Sequence, residues 1–289
     1  MVTVLDNLSR GRIDNLKNHL WKGTVRFIEG NILDLEEVEK AIVDSDAVVH
    51  LAAVVGVPFS MLNRKKTYEV NVDGTKLLLD QCIANGVKRL ILISSCAVYG
   101  EPHYTPIDEL HSTNPLSPYA ESKLEAEGIC LESSAGLETV ALRLFNVYGS
   151  RQTQNGYASV ISLFAECLKK GCPLTIYGDG LQTRDFVHVS DVVEAIWLTL
   201  NARSVEGIFN IASGKAVKII ELAELMAELI GLEHPRMVFD EPREGDIRRS
   251  HGDFSKAREI LGYHPRKELR QGLKELLEET ANSNRMKGS

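Results

Sequence analysis

Short β-branched runs alternate with longer amphipathic stretches over the first half of the chain. Val2-Thr3-Val4-Leu5 and Val25-Arg26-Phe27-Ile28-Glu29 read as strands, closed by polar turns at Asp6-Asn7 and Gly30-Asn31. Residues 33–43 have helical spacing, with acidic side chains toward the start where the helix dipole favours them. Ala47 to Ala53 is a continuous apolar run, the pattern of a strand covered on both faces. Residues 68–85 predict a long helix stopped by Gly86, and Leu90-Ile91-Leu92-Ile93 a buried strand running into Ser94-Ser95. A helix from Pro118 to about Ser134 and a strand from Thr139 to Phe145 follow. Such alternation predicts an α/β architecture built on a parallel sheet.

From Asn146 the rhythm loosens. A Gly-rich segment, Tyr177-Gly178-Asp179-Gly180, leads into Arg184-Asp185-Phe186-Val187-His188. Asp191 and Glu194 stand at capping-box spacing before a helix running to Asn201. Ile208 to Ile211 predicts one more strand. Two amphipathic helices are expected around 219–230 and 268–281, with the charged segment 241–253 between them.

Composition narrows the class. A chain of 289 residues can bury a large core, as one big domain or two smaller ones. Its 44% hydrophobic and 25% charged content are ordinary globular values. A net charge of −7 gives no reason to expect nucleic acid or an anionic membrane as partner, so an anionic substrate would need locally placed Arg or Lys. The cysteines are odd in number, with no Cys-x-x-Cys and no Cys/His pair at zinc spacing. That pattern favours buried thiols, a reducing compartment and no metal. Neither a signal peptide nor a run of about 18 apolar residues is present, and the expectation is a soluble cytoplasmic protein.

The densest candidate chemistry is Ser117-Pro118-Tyr119-Ala120-Glu121-Ser122-Lys123. Proline suits the first helical turn, where its missing N–H would have no partner. Tyr119 and Lys123, four residues apart, then share one helical face. An ammonium beside a phenol favours phenolate, and a tyrosine base at neutral pH needs that help. An interfacial Tyr beside a solvated Lys has the same spacing.

Taken with Asp6-Asn7-Leu8-Ser9-Arg10-Gly11, His50-Leu51-Ala52-Ala53, Asn71-Val72-Asp73-Gly74-Thr75, Ser94 to Gly100, Arg143-Leu144-Phe145-Asn146 and Arg184 to Asp191, this motif resembles the extended short-chain dehydrogenases. Within them it is most like the NAD-dependent sugar-nucleotide epimerases and dehydratases, UDP-hexose 4-epimerases above all. The resemblance implies a Rossmann-like, doubly wound parallel sheet with a smaller C-terminal substrate lobe. The expected division is 1–174 (with 190–212) for the cofactor and 175–289 for the substrate. One departure is large. The family opens with a strand, a Gly-x-x-Gly-x-x-Gly turn and a helix, and this sequence begins at the family's second strand. The expectation is a partial sequence lacking a βα unit of about 30 residues, whose strand would sit at the centre of the sheet.

What the resemblance implies for single residues is as follows. NAD would be held by Asp6 at the adenosine ribose, with Asn7, Asn31, Ile32, Leu51, Ala52, Ala53 and Asn71 around it and Tyr119 and Lys123 at the nicotinamide end. A turn-forming Asp6, core packing at 51–53 and a polar helix residue at Asn71 are the plain alternatives. Ser95 would bond the reacting sugar oxygen, with Ser94 as competitor and strand-end capping as the plain alternative for both. Cys96 and Ala97 replace the acidic pair of the 4,6-dehydratase branch, which argues against water elimination. Tyr119 would be general base and then acid, with Lys123 tuning it. Arg184 and Arg243 would anchor the diphosphate, Asn146 would touch substrate, Tyr177 would pack on uracil and Asp246 would accept ribose hydroxyls. Surface salt bridges and a core aromatic are the alternatives. A small Ser250, where some 4-epimerases carry Tyr, would admit a 2-acetamido sugar. The implied protein is a UDP-sugar 4-epimerase working as a homodimer. A UDP-glucuronate epimerase or decarboxylase, a reductase and a truncated non-catalytic homologue are the rival readings.

Overall fold

The computed structural model describes residues 1–132, 136–152, 159–243 and 245–285, with side chains to residue 279 in the last helix. In chain order the first elements are β1 (Val2–Asp6), α1 (Lys17–Trp21), β2 (Val25–Glu29), α2 (Leu35–Ile42), β3 (Ala47–His50), α3 (Val57–Leu62), α4 (Arg64–Tyr68), α5 (Gly74–Ala84), β4 (Arg89–Ser95), α6 (Pro118–Leu131) and β5 (Glu138–Leu144). Then come β6 (Asn146–Tyr148), α7 (Val160–Lys170), β7 (Leu174–Tyr177), β8 (Thr183–His188), α8 (Val189–Asn201), β9 (Gly207–Ile211), β10 (Ala216–Lys218), α9 (Ile219–Leu229), β11 (Met237–Asp240), α10 (Ser255–Leu261) and α11 (Leu269–Arg285). The expected α6 terminus at Ser134 lies outside the described residues. Two compact units form, one from Met1–Val98, Pro115–Leu142 and Thr199–Ile208, the other from Tyr99–Asn114, Arg143–Leu198 and Phe209 onward. These follow compactness; the 1–174 and 175–289 division follows cofactor against substrate.

In the first unit the parallel sheet comes in two pieces. β1 pairs only with β2, in parallel, from Val2↔Val25 to Asp6↔Glu29. The other piece has the order β3-β4-β5-β9, with β3 parallel to β4. Between β1 and β3 there is no ladder among the described residues. A single apolar cluster nevertheless backs both pieces. Leu5 of β1 and Val48 of β3 pack against Val38, Ile42, Leu78, Leu79, Leu90 and Leu92.

That break corrects one expectation. The apolar run 47–53 is not a strand covered on both faces: β3 stops at His50, its other residues are only half-buried, and Leu51 is 63% exposed. An edge strand with one ladder gains no cover from a second neighbour. A second correction concerns the helix expected over 68–85. The chain turns helical at Arg64, widens to a π-helical turn over Glu69–Asp73 and resumes as α5. At Gly74 a Cβ would meet Ile32 Cγ2 at 3.0 Å, so glycine lets that core residue approach. Gly86, with φ of +68°, ends the helix as expected.

The second unit holds two small sheets, β10-β8-β6 and β11-β7. Its core gathers Phe164, Leu174, Ile176, Phe186, Leu222, Met226 and Leu273 from α7, α9, α11 and the strands they cover. α9 and α11 match the two helices expected, whereas α7, β7, α10 and β11 carry no earlier expectation. Asp191 has another role besides any at its own helix end: its carboxylate accepts the backbone N–H groups of Arg266 and Lys267, both at 3.2 Å. Asp185 is fully buried and accepts from Ser213 N–H and Oγ, Gly214 N–H and Gly252 N–H, tying two segments to β8.

Candidate active site

α6 starts where its sequence says it must. Ser117 is the N-cap, its hydroxyl accepting the Ala120 N–H at 3.2 Å, and Pro118 occupies the first turn. Tyr119, Lys123 and Glu127 then follow at four-residue intervals on one face. Two serines at the end of β4 meet that face. Ser95 lies beside the Tyr119 phenol, where its hydroxyl favours the ionised form, and the Ser94 hydroxyl donates to the Glu127 carboxylate. Ser94 and Ser95 therefore serve different residues, and the Ser95 hydroxyl also accepts the Ala97 N–H at 3.2 Å.

The electrostatics differ from the simple expectation. Lys123 and Glu127 are both buried. Burial pulls the Lys123 ammonium down to about 8, and the Glu127 carboxylate partly restores it. Burial raises the Tyr119 phenol above its ordinary value, opposed by the Ser95 hydroxyl, so at neutral pH it carries its proton in this arrangement. Lys123 by itself does not make a phenolate here.

Asn71, in the widened turn ahead of α5, fixes the segment after β3. Its amide oxygen accepts the Val54 N–H at 2.7 Å, and its Nδ2 donates to the Val54 carbonyl and the Ser122 hydroxyl, both at 2.9 Å. Ser122 in turn donates to the Tyr119 carbonyl at 2.8 Å. One buried amide thus ties loop and α6 together, as befits a π-turn near a site. The residue bonds backbone with both atoms of its amide. Below it, His50 is buried and bonds Thr75 Oγ1 at 2.9 Å; burial first, then Lys123, pushes its imidazole down to about 3.

At the end of β1, Asp6 Oδ1 accepts the Leu8 N–H at 2.7 Å. A Cβ on Gly11 would stand 2.9 Å from both carboxylate oxygens, so the glycine lets the backbone approach the Asp6 carboxylate closely. Asn7 is exposed and caps Ser9 with its side-chain oxygen. The Asn31 oxygen bonds the Leu33 N–H at 3.1 Å. Ile32 is a core residue, which leaves only its backbone for a ligand. Leu51 and Ala52 are exposed, so 51–53 is not core packing. The chemistry of these side chains suits a dinucleotide: Asp6 and Asn31 offer acceptors of the kind a ribose needs, and Tyr119 and Lys123 a phenol and an ammonium.

In the second unit, residues expected to act separately are paired. The Arg184 guanidinium is buried, donates to the Thr183 carbonyl at 2.6 Å and forms an ion pair with Asp246. Arg243 lies with its guanidinium carbon 3.8 Å from the Tyr177 ring centroid, a cation–π contact that covers the face expected for uracil. Asn146 Nδ2 donates to the Asp185 carbonyl at 3.3 Å. Ser250 is fully buried, its N–H on Thr183 Oγ1 at 3.4 Å and its hydroxyl without a hydrogen-bond partner. Glu244, within the motif around Arg243, lies outside the described residues.

Sequence reasoning missed Glu127, His50, Thr75 and Ser122. Glu127 was within reach, being one turn beyond Lys123; the others are visible only once α5 and α6 are packed. Among the described residues no cluster of metal-ligating side chains and no helix long and apolar enough to cross a membrane is present.

Comparison with known proteins agrees with this geometry. The NAD dependent epimerase/dehydratase family matches residues 1–212. A putative UDP-glucose 4-epimerase of Methanocaldococcus jannaschii is 38% identical over 98% of this chain and 92% of its own length. The solved UDP-N-acetylglucosamine 4-epimerase of Methanobrevibacter ruminantium, in complex with UDP-N-acetylmuramic acid, superposes with a TM-score of 0.92 at 34% identity, covering 98% of this chain and 91% of that one. The UDP-glucose 4-epimerase of Thermus thermophilus, solved with NAD, gives 0.89 at 35% identity with the same coverage. The chain belongs to the NAD dependent epimerase/dehydratase family.

Proposed function

We propose that this protein is a UDP-sugar 4-epimerase, cytoplasmic and homodimeric, that inverts C4 of a UDP-hexose through a 4-keto sugar. The single observation carrying the reading is the placement of Ser95 beside the Tyr119 phenol with buried Lys123 one turn further along α6. When bound, NAD supplies the reversible hydride acceptor at the sugar carbon. Tyr119, once it has given its own phenolic proton to solvent, takes the proton of the C4 hydroxyl, and returns it to the C4 oxygen after the sugar has turned over and presents its other face for reduction. Ser95, beside the phenol, donates to the C4 oxygen as it gains carbonyl character. Lys123 holds positive charge beside the phenol and donates to the nicotinamide ribose; Asp6 and Asn31 take the adenosine end. Arg184 and Arg243 bind the diphosphate, Arg243 moving off Tyr177 so that uracil stacks there, and Asp246 shares Arg184 with the ribose hydroxyls. The compact Ser250 leaves room for a 2-acetamido group.

Incubating the protein and NAD with UDP-glucose, UDP-N-acetylglucosamine and UDP-glucuronate, each followed by proton NMR, tests the reading. The C4 epimer of a UDP-hexose is expected. Release of a UDP-pentose would make the enzyme a decarboxylase instead, and failure to bind NAD would leave the non-catalytic alternative.

A further inference from the structure

α7 ends in a turn that brings two cysteines together. The Cys172 N–H bonds the Cys167 carbonyl at 3.0 Å and the Gly171 N–H the Leu168 carbonyl at 3.3 Å. Gly171 is left-handed, with φ of +67°. This is a Schellman cap, in which the residues at Cys167 and Cys172 are the pair whose side chains ordinarily make the closing apolar contact. Here both carry thiols. The backbone bond holds the two Cα atoms within about 7 Å, near the upper end of the roughly 4.4–6.8 Å that disulfides span. The Cys172 thiol donates to the Cys167 carbonyl oxygen at 3.5 Å, which sets it beside the Cys167 thiol that it perturbs. The two differ in access: Cys172 is exposed and Cys167 half-buried.

We propose that Cys167 and Cys172 are a redox modification site, a dithiol that accepts oxidising equivalents from small-molecule disulfides of the glutathione type and closes across the cap of α7. The exposed Cys172 thiolate attacks one sulfur of the oxidised reagent. The reagent's S–S bond breaks, one thiolate leaves and takes a proton, and a mixed disulfide remains on Cys172. Cys167 then loses its proton and attacks the Cys172 sulfur, displacing the second reagent thiolate. The protein has lost two hydrogens and the reagent has gained them. The order follows from the environment, since burial and the neighbouring Cys172 thiol push the Cys167 thiol up to about 11, making it the poorer first nucleophile. The new bond pins the end of α7 to the start of β7, whose far end carries Tyr177. Cys82 and Cys130, buried in the first unit, stay out of reach of a solvent-borne disulfide.

The native protein treated with oxidised glutathione, then trapped, digested and mapped by mass spectrometry, tests the site. The expected product has lost the mass of two hydrogens, links the Cys167 and Cys172 peptides, and reverts with dithiothreitol. Cys167→Ser is expected to stop at a single glutathione adduct on Cys172, and Cys172→Ser to give no linked peptide. A wild-type protein that stops at the adduct, forms its bond elsewhere or does not react overturns the proposal. None of these readouts depends on epimerase activity.

Discussion

Lys123 and Glu127 lie one helical turn apart, both buried, with the carboxylate also holding the Ser94 hydroxyl. The ammonium is drawn down to about 8 by burial and would fall further without that negative charge. Glu127→Gln is therefore expected to move the titration of Lys123 to lower pH, and Glu127→Asp to restore part of it. Competitive acylation of the Lys123 amine across pH, read by mass spectrometry, measures this directly. Equal titration in wild type and Glu127→Gln would remove Glu127 from the account. In the active enzyme the same substitution shifts the alkaline limb of kcat/KM downward.

His50 makes a second, separate prediction. Its folded value near 3 lies below the unfolded value of about 6.5. Between those limits the unfolded chain binds the extra proton, so stability is lost as pH falls from about 6.5 toward 3, by at most about 5 kcal/mol. His50→Gln, which can still bond Thr75, is expected to flatten that part of the pH dependence of the urea midpoint. An unchanged slope would mean that His50 does not carry it.

Removing Asn71 tests the clamp on the loop after β3. Asn71→Ala leaves the Val54 N–H and carbonyl without their partner, at a cost of roughly 2–4 kcal/mol. Urea unfolding with an unchanged m-value reads it. A loss below about 0.5 kcal/mol, the range of ordinary surface substitutions, would show that the loop holds itself.

Much of the first unit was legible because its elements carry their own punctuation. Ser117-Pro118 set the start of α6 and Gly86 the end of α5, and the i, i+4 rule put Tyr119 and Lys123 on one face. Other features depend on partners that are remote in sequence. The run 47–53 reads as a buried strand, yet β3 is an edge and leaves the sheet at Leu51, because sheet neighbours and not local residues decide cover. Arg184 and Asp246, 62 positions apart, reveal their pairing only when folded. Likewise the five cysteines read as buried thiols, and that holds for Cys82 and Cys130 alone. The phenol's acidity is the subtlest difference: spacing promised help from Lys123, whereas burial raises the phenol and the opposing influence comes from Ser95.

Arg243 is exposed, so Arg243→Ala can probe the nucleotide site without disturbing the core. UDP affinity measured by calorimetry is expected to fall about tenfold, near 1.4 kcal/mol. Unaltered affinity would assign the Arg243–Tyr177 contact to surface packing only.

The reading as a whole stands on the phenol of α6. With NAD present and a UDP-hexose as substrate, Tyr119→Phe removes one oxygen from the side chain and keeps the ring that fills its place. The rate of C4 inversion, followed by NMR, is expected to drop by at least about a hundredfold while UDP binding is unchanged. Inversion at the wild-type rate in that variant would contradict the assignment of Tyr119 as the proton-transferring group.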